Sequence, residues 1–177
     1  MNSTQIYKVV REAIAPWCKQ NGFKRTPGGM LGWFKPQGDN FIVFWFQCNQ
    51  DGWDAYAGSS FCVEFQFSDS HDIGGGASEL RHRLSYFLTL GEREEVRQKQ
   101  NHVIAKLDYP PKDHFTFQMD ANVANWYRQK FIAVEMVYPD KYDIWLRYKD
   151  GEDVKTWAEF VLRRLPKVLA QLSGPSV

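Results

Sequence analysis

These 177 residues contain no Cys-x-x-Cys pair, no Gly-x-Ser-x-Gly elbow and no Gly-Lys-Ser/Thr phosphate loop. No apolar run approaches the ~20 residues that a membrane-spanning helix needs. Cysteine is scarce: Cys18, Cys48 and Cys62 form an odd, scattered set, which argues against a disulfide framework. Buried, reduced thiols are expected instead, with Cys48 and Cys62 on neighbouring strands. No set of His, Cys and carboxylates has the close spacing of a zinc site, so neither metal nor cofactor is expected. The start of the chain, Ile6-Tyr-Lys-Val-Val-Arg-Glu12, is broken by charges and does not read as a secretory leader. A cytoplasmic protein is the expectation.

Positive charge is also missing, but only locally. From Asp39 to Leu80 there is no Lys or Arg, against seven acids: Asp39, Asp51, Asp54, Glu64, Asp69, Asp72 and Glu79. Residues 1–38 hold six basic groups and only Glu12, so the net charge of +1 hides a strong segregation. An acidic stretch disfavours nucleic acid, whose phosphates need Lys and Arg. It suits a basic partner or a weak divalent-cation site, or simply forms a solvated rim.

What the chain has in abundance is aromatic residues. They gather in Met30–Lys35, Phe41–Cys48 and Phe61–Phe67. In the last of these, Phe61, Val63, Phe65 and Phe67 alternate with Cys62, Glu64 and Gln66, the period of a strand with one apolar face. The middle segment is apolar on both faces and should lie inside the sheet. Ahead of them, Ile6, Val9, Val10, Ala13, Ile14 and Trp17 make a helical stripe, capped by Ser3 or Thr4, kinked at Pro16 and stopped by Gly22.

Pro36–Asp39 reads as a hairpin turn, and Ser68–Gly76 as a flexible connector. Leu80, Leu84, Phe87 and Leu88 have helical spacing, and Thr89 caps a further helix that ends before Tyr109-Pro-Pro111. A short helix is expected over 120–128. Strands are expected over Phe131–Val137 and Asp143–Tyr148. The last helix carries Val154, Trp157, Val161, Leu165, Val168 and Leu172, bends at Pro166 and stops at Ser173-Gly-Pro175.

Candidate site residues are few. Gly74-Gly-Gly76 ahead of a helix would suit phosphate, but its flanking acids oppose that. Glu64 stands on the less apolar face of its strand and would act as a base if that face were open. His71 lies beside Asp72 in a loop. Arg81 suits anions, yet it directly follows the acidic stretch and so points to internal ion pairing. Trp53 and Tyr56 sit in a loop and are the aromatics best placed to anchor a partner.

The order of elements also resembles a known family. A helix, then Gly22-Phe-Lys-Arg25, an aromatic strand with Trp33-Phe34, Asp39–Gln47 and an alternating third strand resemble the bacterial family called domain of unknown function 4304. The Asp143-Ile-Trp145 segment before a long last helix is similar to that family's ending. The resemblance covers residues 5–67 and 143–172. Lys35 stands where the family has Arg, and Cys48-Asn49 where it has Ser. The resemblance implies a small α+β domain and no particular activity.

The sequence therefore predicts one α+β domain over 1–177. It should have an antiparallel sheet of about five strands, the first and last helices packed on one face, and a helical insertion over 88–130. The absence of catalytic spacing favours a non-catalytic module with a protein partner, immunity- or antitoxin-like by analogy. The alternative is a small-molecule binder or enzyme with a pocket between sheet and helices.

Overall fold

A computed structural model describes residues 1–111 and 120–172. Helix α1 (Ser3–Gln20) opens on Asn2, one residue earlier than the expected Ser3 or Thr4. With Asn2 as cap, Gln5 falls at the third helical position, and the two side chains bond each other's backbone N–H at 2.9 and 3.0 Å. The helix runs through Pro16, and Gly22 turns the chain with φ +78°.

Six strands follow in one antiparallel sheet: β1 (Lys24–Arg25), β2 (Leu31–Gln37), β3 (Asn40–Cys48), β4 (Ser59–Ser68), β5 (Ser78–Arg83) and β6 (Leu146–Tyr148). β2 and β3 form a hairpin with Gln37 opposite Asn40, so the loop is Gly38-Asp39, and Gly38 supplies the positive φ such a turn needs. β3 pairs with one edge of β4. The other edge is shared: β6 pairs with Ser59–Phe61 and β5 with Glu64–Ser68. The sheet thus has six strands but is five positions wide.

The first face of the sheet meets α1 and α4 (Gly151–Leu172). Trp33, Phe44 and Phe65 stack across three strands at 5.4 and 5.8 Å between ring centres. Ile6, Val10 and Ile14 of α1 and Val154, Trp157, Val161 and Leu165 of α4 close over them. Each such fully buried side chain contributes about 1.5–3 kcal/mol of burial free energy.

Helix α2 (Leu90–Ala105) has the expected Thr89 cap, completed by Glu92. It is lashed to α4 by Lys167–Glu92 at 2.7 Å, by Arg164 to Glu95, and by Lys106 to the buried Asp153 at 2.6 Å. Val96 enters the core. At Gln100 the side-chain amide meets the outer edge of β6, donating to the Trp145 carbonyl at 2.6 Å and accepting from the Arg147 N–H at 3.0 Å. The Trp157 indole donates to the Arg147 carbonyl at 2.6 Å. Helix α3 (Ala121–Gln129) lies within a residue of the expected 120–128 and is capped by Asp120.

Three expectations are corrected. Residues 80–88 are not a helix: β5 runs to Arg83 and a 3₁₀ turn covers Leu84–Phe87. Alternation, not helical spacing, governs there, because Arg81 and Arg83 must both reach Glu64. Phe131–Val137 is not a strand. α2 takes the place beside it, and Val134 bonds the Asn101 side chain through both its N–H and its carbonyl. The expected strand over Asp143–Tyr148 shrinks to Leu146–Tyr148. The predicted stop at Ser173-Gly-Pro175 and residues 112–119 of the predicted insertion lie outside the described residues.

Candidate functional site

Along β4, Ser60, Cys62, Glu64 and Gln66 point away from the helices, onto the second face of the sheet. Strand register sets their neighbours there: Val43, Trp45 and Gln47 from β3, Arg81 and Arg83 from β5, and Arg147 from β6. This face carries the sheet's buried carboxylate, Glu64, and the arginines around it.

Its middle is closed. Glu64 is only 5% exposed. Arg81 grips one carboxylate oxygen with Nε at 3.0 Å and Nη2 at 2.8 Å, and Arg83 Nε reaches the other at 3.3 Å. Arg83 continues to Asp143, and the two guanidiniums lie 5.1 Å from the Trp45 and Trp145 rings. Two cations and two carboxylates thus alternate in a linear chain, Arg81–Glu64–Arg83–Asp143, with Glu64 as its buried member. Glu64 and Arg81, both candidates from sequence, are brought together as each other's partners.

One end of the face is also occupied. Gln66 donates to the Gly75 carbonyl at 2.9 Å and accepts from Gly74 N–H at 3.0 Å, so the glycine loop is tied down rather than left as a free connector. That loop leads into β5, not into a helix, and therefore lacks the helix N-terminus that would hold a phosphate. His71 rests against Phe34 and Phe41, 4.8 and 5.5 Å between ring centres, with Nε2 3.8 Å from Asp72. Among the described residues no three His, Cys, Asp or Glu side chains converge as a metal would require. Cys48 and Cys62 occupy adjacent strands but face opposite sides of the sheet, and both are unbridged. Burial pushes the Cys62 thiol up to about 12.

The other end opens. Between the β4–β6 edge, α2, α3 and the 131–145 segment lies a cleft of about 470 Å³. Asn49, Ser60, Gln100, Tyr138 and Arg147 supply its polar groups. Trp126, Ile132, Tyr142 and Trp145 supply its apolar ones, and Lys130 completes the lining. The loop holding Trp53 and Tyr56 makes one wall through Gly52, Ala57 and Gly58.

That loop is built rigidly. Asp54 accepts from the N–H groups of Tyr56 and Ala57 and from the Tyr127 hydroxyl at 2.7 Å. Burial, then the hydrogen bond to Asp54 and its charge, push the Tyr127 hydroxyl well up. Gly58, at φ +64°, packs so tightly on the Tyr148 carbonyl that a Cβ would overlap it. Trp53 donates its indole N–H to the Lys149 carbonyl at 3.0 Å and stays 38% exposed, while Tyr56 is half-buried. The sequence candidates therefore occupy three places: Trp53 and Tyr56 in the cleft's wall loop, Glu64 and Arg81 in the ion chain, and His71 among the aromatics at the far end.

Two cations in the cleft lining have unusual surroundings. Burial lowers the affinity of the Arg147 guanidinium for its proton, with Tyr138 opposing. Burial likewise lowers Lys130; Asp51, 3.8 Å away, raises it, and the field of Arg147 lowers it further. Lys130 Nζ sits 3.8 Å over the Trp126 ring. Among the described residues Arg147 has no carboxylate partner; its guanidinium donates to the Lys130 carbonyl.

Sequence reasoning missed Arg147, Lys130, Gln100 and Trp126. The alternation of Ile144, Leu146 and Tyr148 with Trp145 and Arg147 was a signal for the facing of Arg147. Nothing local brings Lys130 beside it, because α3 approaches across the fold. Comparison with family models, curated proteins and solved structures gave no match.

Proposed function

We propose that this protein is a non-catalytic binding module whose recognition surface is the cleft and its rim. The observation that carries this reading is the cleft itself. It is a concavity within the size range of small-ligand sites, with polar groups on a rigid sheet edge and an exposed apolar rim. Trp126, Ile132 and Tyr142 are each about half exposed around it. The polar lining is made of amides, hydroxyls and cations, and its carboxylate, Asp143, is engaged by Arg83. That inventory suits holding a ligand better than activating a nucleophile.

The expected protein partner fits the rim better than the acidic stretch. Glu64, Asp54 and Asp69 of that stretch are used inside the fold, by Arg81 and Arg83, by the Tyr56 turn and by the Ala77 N–H. Membership of the domain of unknown function 4304 belongs to the same proposal. Its support is the order of α1, the Gly22–Arg25 turn and the aromatic strands β2 and β3.

The test is recovery of bound material from the protein's own cells, read by native mass spectrometry. Wild type should carry a component that Gln129→Trp loses, because Gln129 is exposed on α3 and also lines the cleft. Equal recovery by both proteins would place binding elsewhere.

A further inference from the structure

We infer that the cleft receives an oxyanion, a carboxylate or phosphate carried on a small organic body, with Arg147 as its anchor and Lys130 as the second cation. This rests on the binding reading above and specifies its chemistry.

The argument begins with Arg147. Register places it opposite Ser60, on the second face of the sheet, where it lines the cleft and is half withdrawn from water. A guanidinium has five N–H donors in a planar fork. Here it donates to the Lys130 carbonyl, and no carboxylate among the described residues balances its charge. Elsewhere on the same face the fold supplies counter-ions: Arg81 has Glu64, and Arg83 has Glu64 and Asp143. A partly dehydrated cation with no balancing charge is unfavourable unless something outside the chain completes it.

Lys130 is the independent second observation. It brings a like charge into the same cleft, close enough that the field of Arg147 acts against it. Two cations held together against their repulsion are the arrangement an oxyanion relieves. Three acids lie near them and are placed elsewhere: Asp143 is bound to Arg83, Asp54 accepts from its own turn and from Tyr127, and Asp51 is 3.8 Å from Lys130 and 45% exposed. The Ser60 and Tyr138 hydroxyls and the Asn49 amide add neutral donors. A cleft of about 470 Å³ is far larger than a bare ion needs, and Trp126, Ile132 and Trp145 provide walls for an organic body.

The experiment is an NMR titration of the whole chain with benzoate, phenyl phosphate, inorganic phosphate and neutral benzamide. Benzoate or phenyl phosphate should shift the amides of Ser60, Lys130 and Arg147 saturably. Which of the two binds tighter tells carboxylate from phosphate. Benzamide and inorganic phosphate should each bind about 10-fold more weakly, the first lacking charge and the second lacking a body for the walls. Arg147→Gln should weaken the preferred anion about 10-fold and bring it to the level of benzamide.

Lys130→Gln, at the end of α3, should weaken it about 3-fold, and keeps the question answerable if the first variant folds poorly. Equal binding of benzamide and benzoate, unchanged by either variant, would overturn the oxyanion while leaving a binding cleft in place. No saturable shift with any anion would also overturn it, and the Gln129→Trp recovery experiment would still decide the binding reading separately.

Discussion

Two arginine sites share the second face of one sheet, a few residues apart along β4, and they are built on opposite principles. At Glu64, strand register brings the guanidiniums of Arg81 and Arg83 to one buried carboxylate, and Asp143 adds a second for Arg83. At Ser60 the guanidinium of Arg147 meets a carbonyl, a like charge and open space. The first has the form of structural glue. The second is a guanidinium that no carboxylate among the described residues balances. An ionisable residue is therefore a candidate for function by what its surroundings fail to supply, and not by its type.

The difference can be broken most strongly at Glu64. Glu64→Ala removes the charge that holds two arginines on a closed face and should destabilise the fold by about 3 kcal/mol, whereas Arg147→Gln should change stability by less than about 1 kcal/mol. Urea denaturation of the two variants side by side measures this, and equal losses would erase the distinction. The next effect is at Gln100. Gln100→Leu leaves the Trp145 carbonyl and the Arg147 N–H without their partner and should cost about 2 kcal/mol. It should also loosen the cleft's polar lining, read as faster amide exchange at Arg147.

The smallest effect is in titration. Lys130, lowered by burial, should lose its proton below the ordinary lysine range. Its unfavourable contribution is full below that lowered value and is relieved as pH rises through it. Lys106, raised by its hydrogen bond to Asp153, has the opposite sign: its stabilisation is full below the ordinary lysine value and is lost as pH rises through the higher folded one. Carbon-detected NMR of the lysine side chains in alkaline titration should show the two midpoints on either side of the exposed lysines. Coincident midpoints would remove the electrostatic contrast.

Much of the scaffold was legible in the chain. The alternation of Phe61 to Phe67 placed β4's apolar face, the stripe from Ile6 to Trp17 placed α1, and Thr89 marked a helix start, because each of these signals is carried by neighbours in sequence. Glu64 and Arg81 were singled out separately, and the possibility of internal ion pairing was legible for Arg81. The identity of its partner was not, since β4–β5 register joins residues 17 apart. Leu80 misled for the same reason: local spacing said helix, while pairing with β4 made a strand and left Leu80 partly exposed. The cleft was least legible of all. Its lining comes from β4, the 49–58 loop, α2, α3, β6 and the irregular 131–145 segment, and no local signal announces the approach of Lys130 to Arg147.

The amide of Gln100 and the indole of Trp157 do more than fix β6 in place. Together they occupy the hydrogen-bonding groups turned outward at Arg147 of β6 and at Trp145 just before it, so β6 offers little template for another chain's strand. At the opposite border, β1 is two residues long, and both are charged and exposed. A visiting peptide that sought main-chain pairing at β6 would first have to displace a glutamine and a tryptophan, so recognition there falls to side chains.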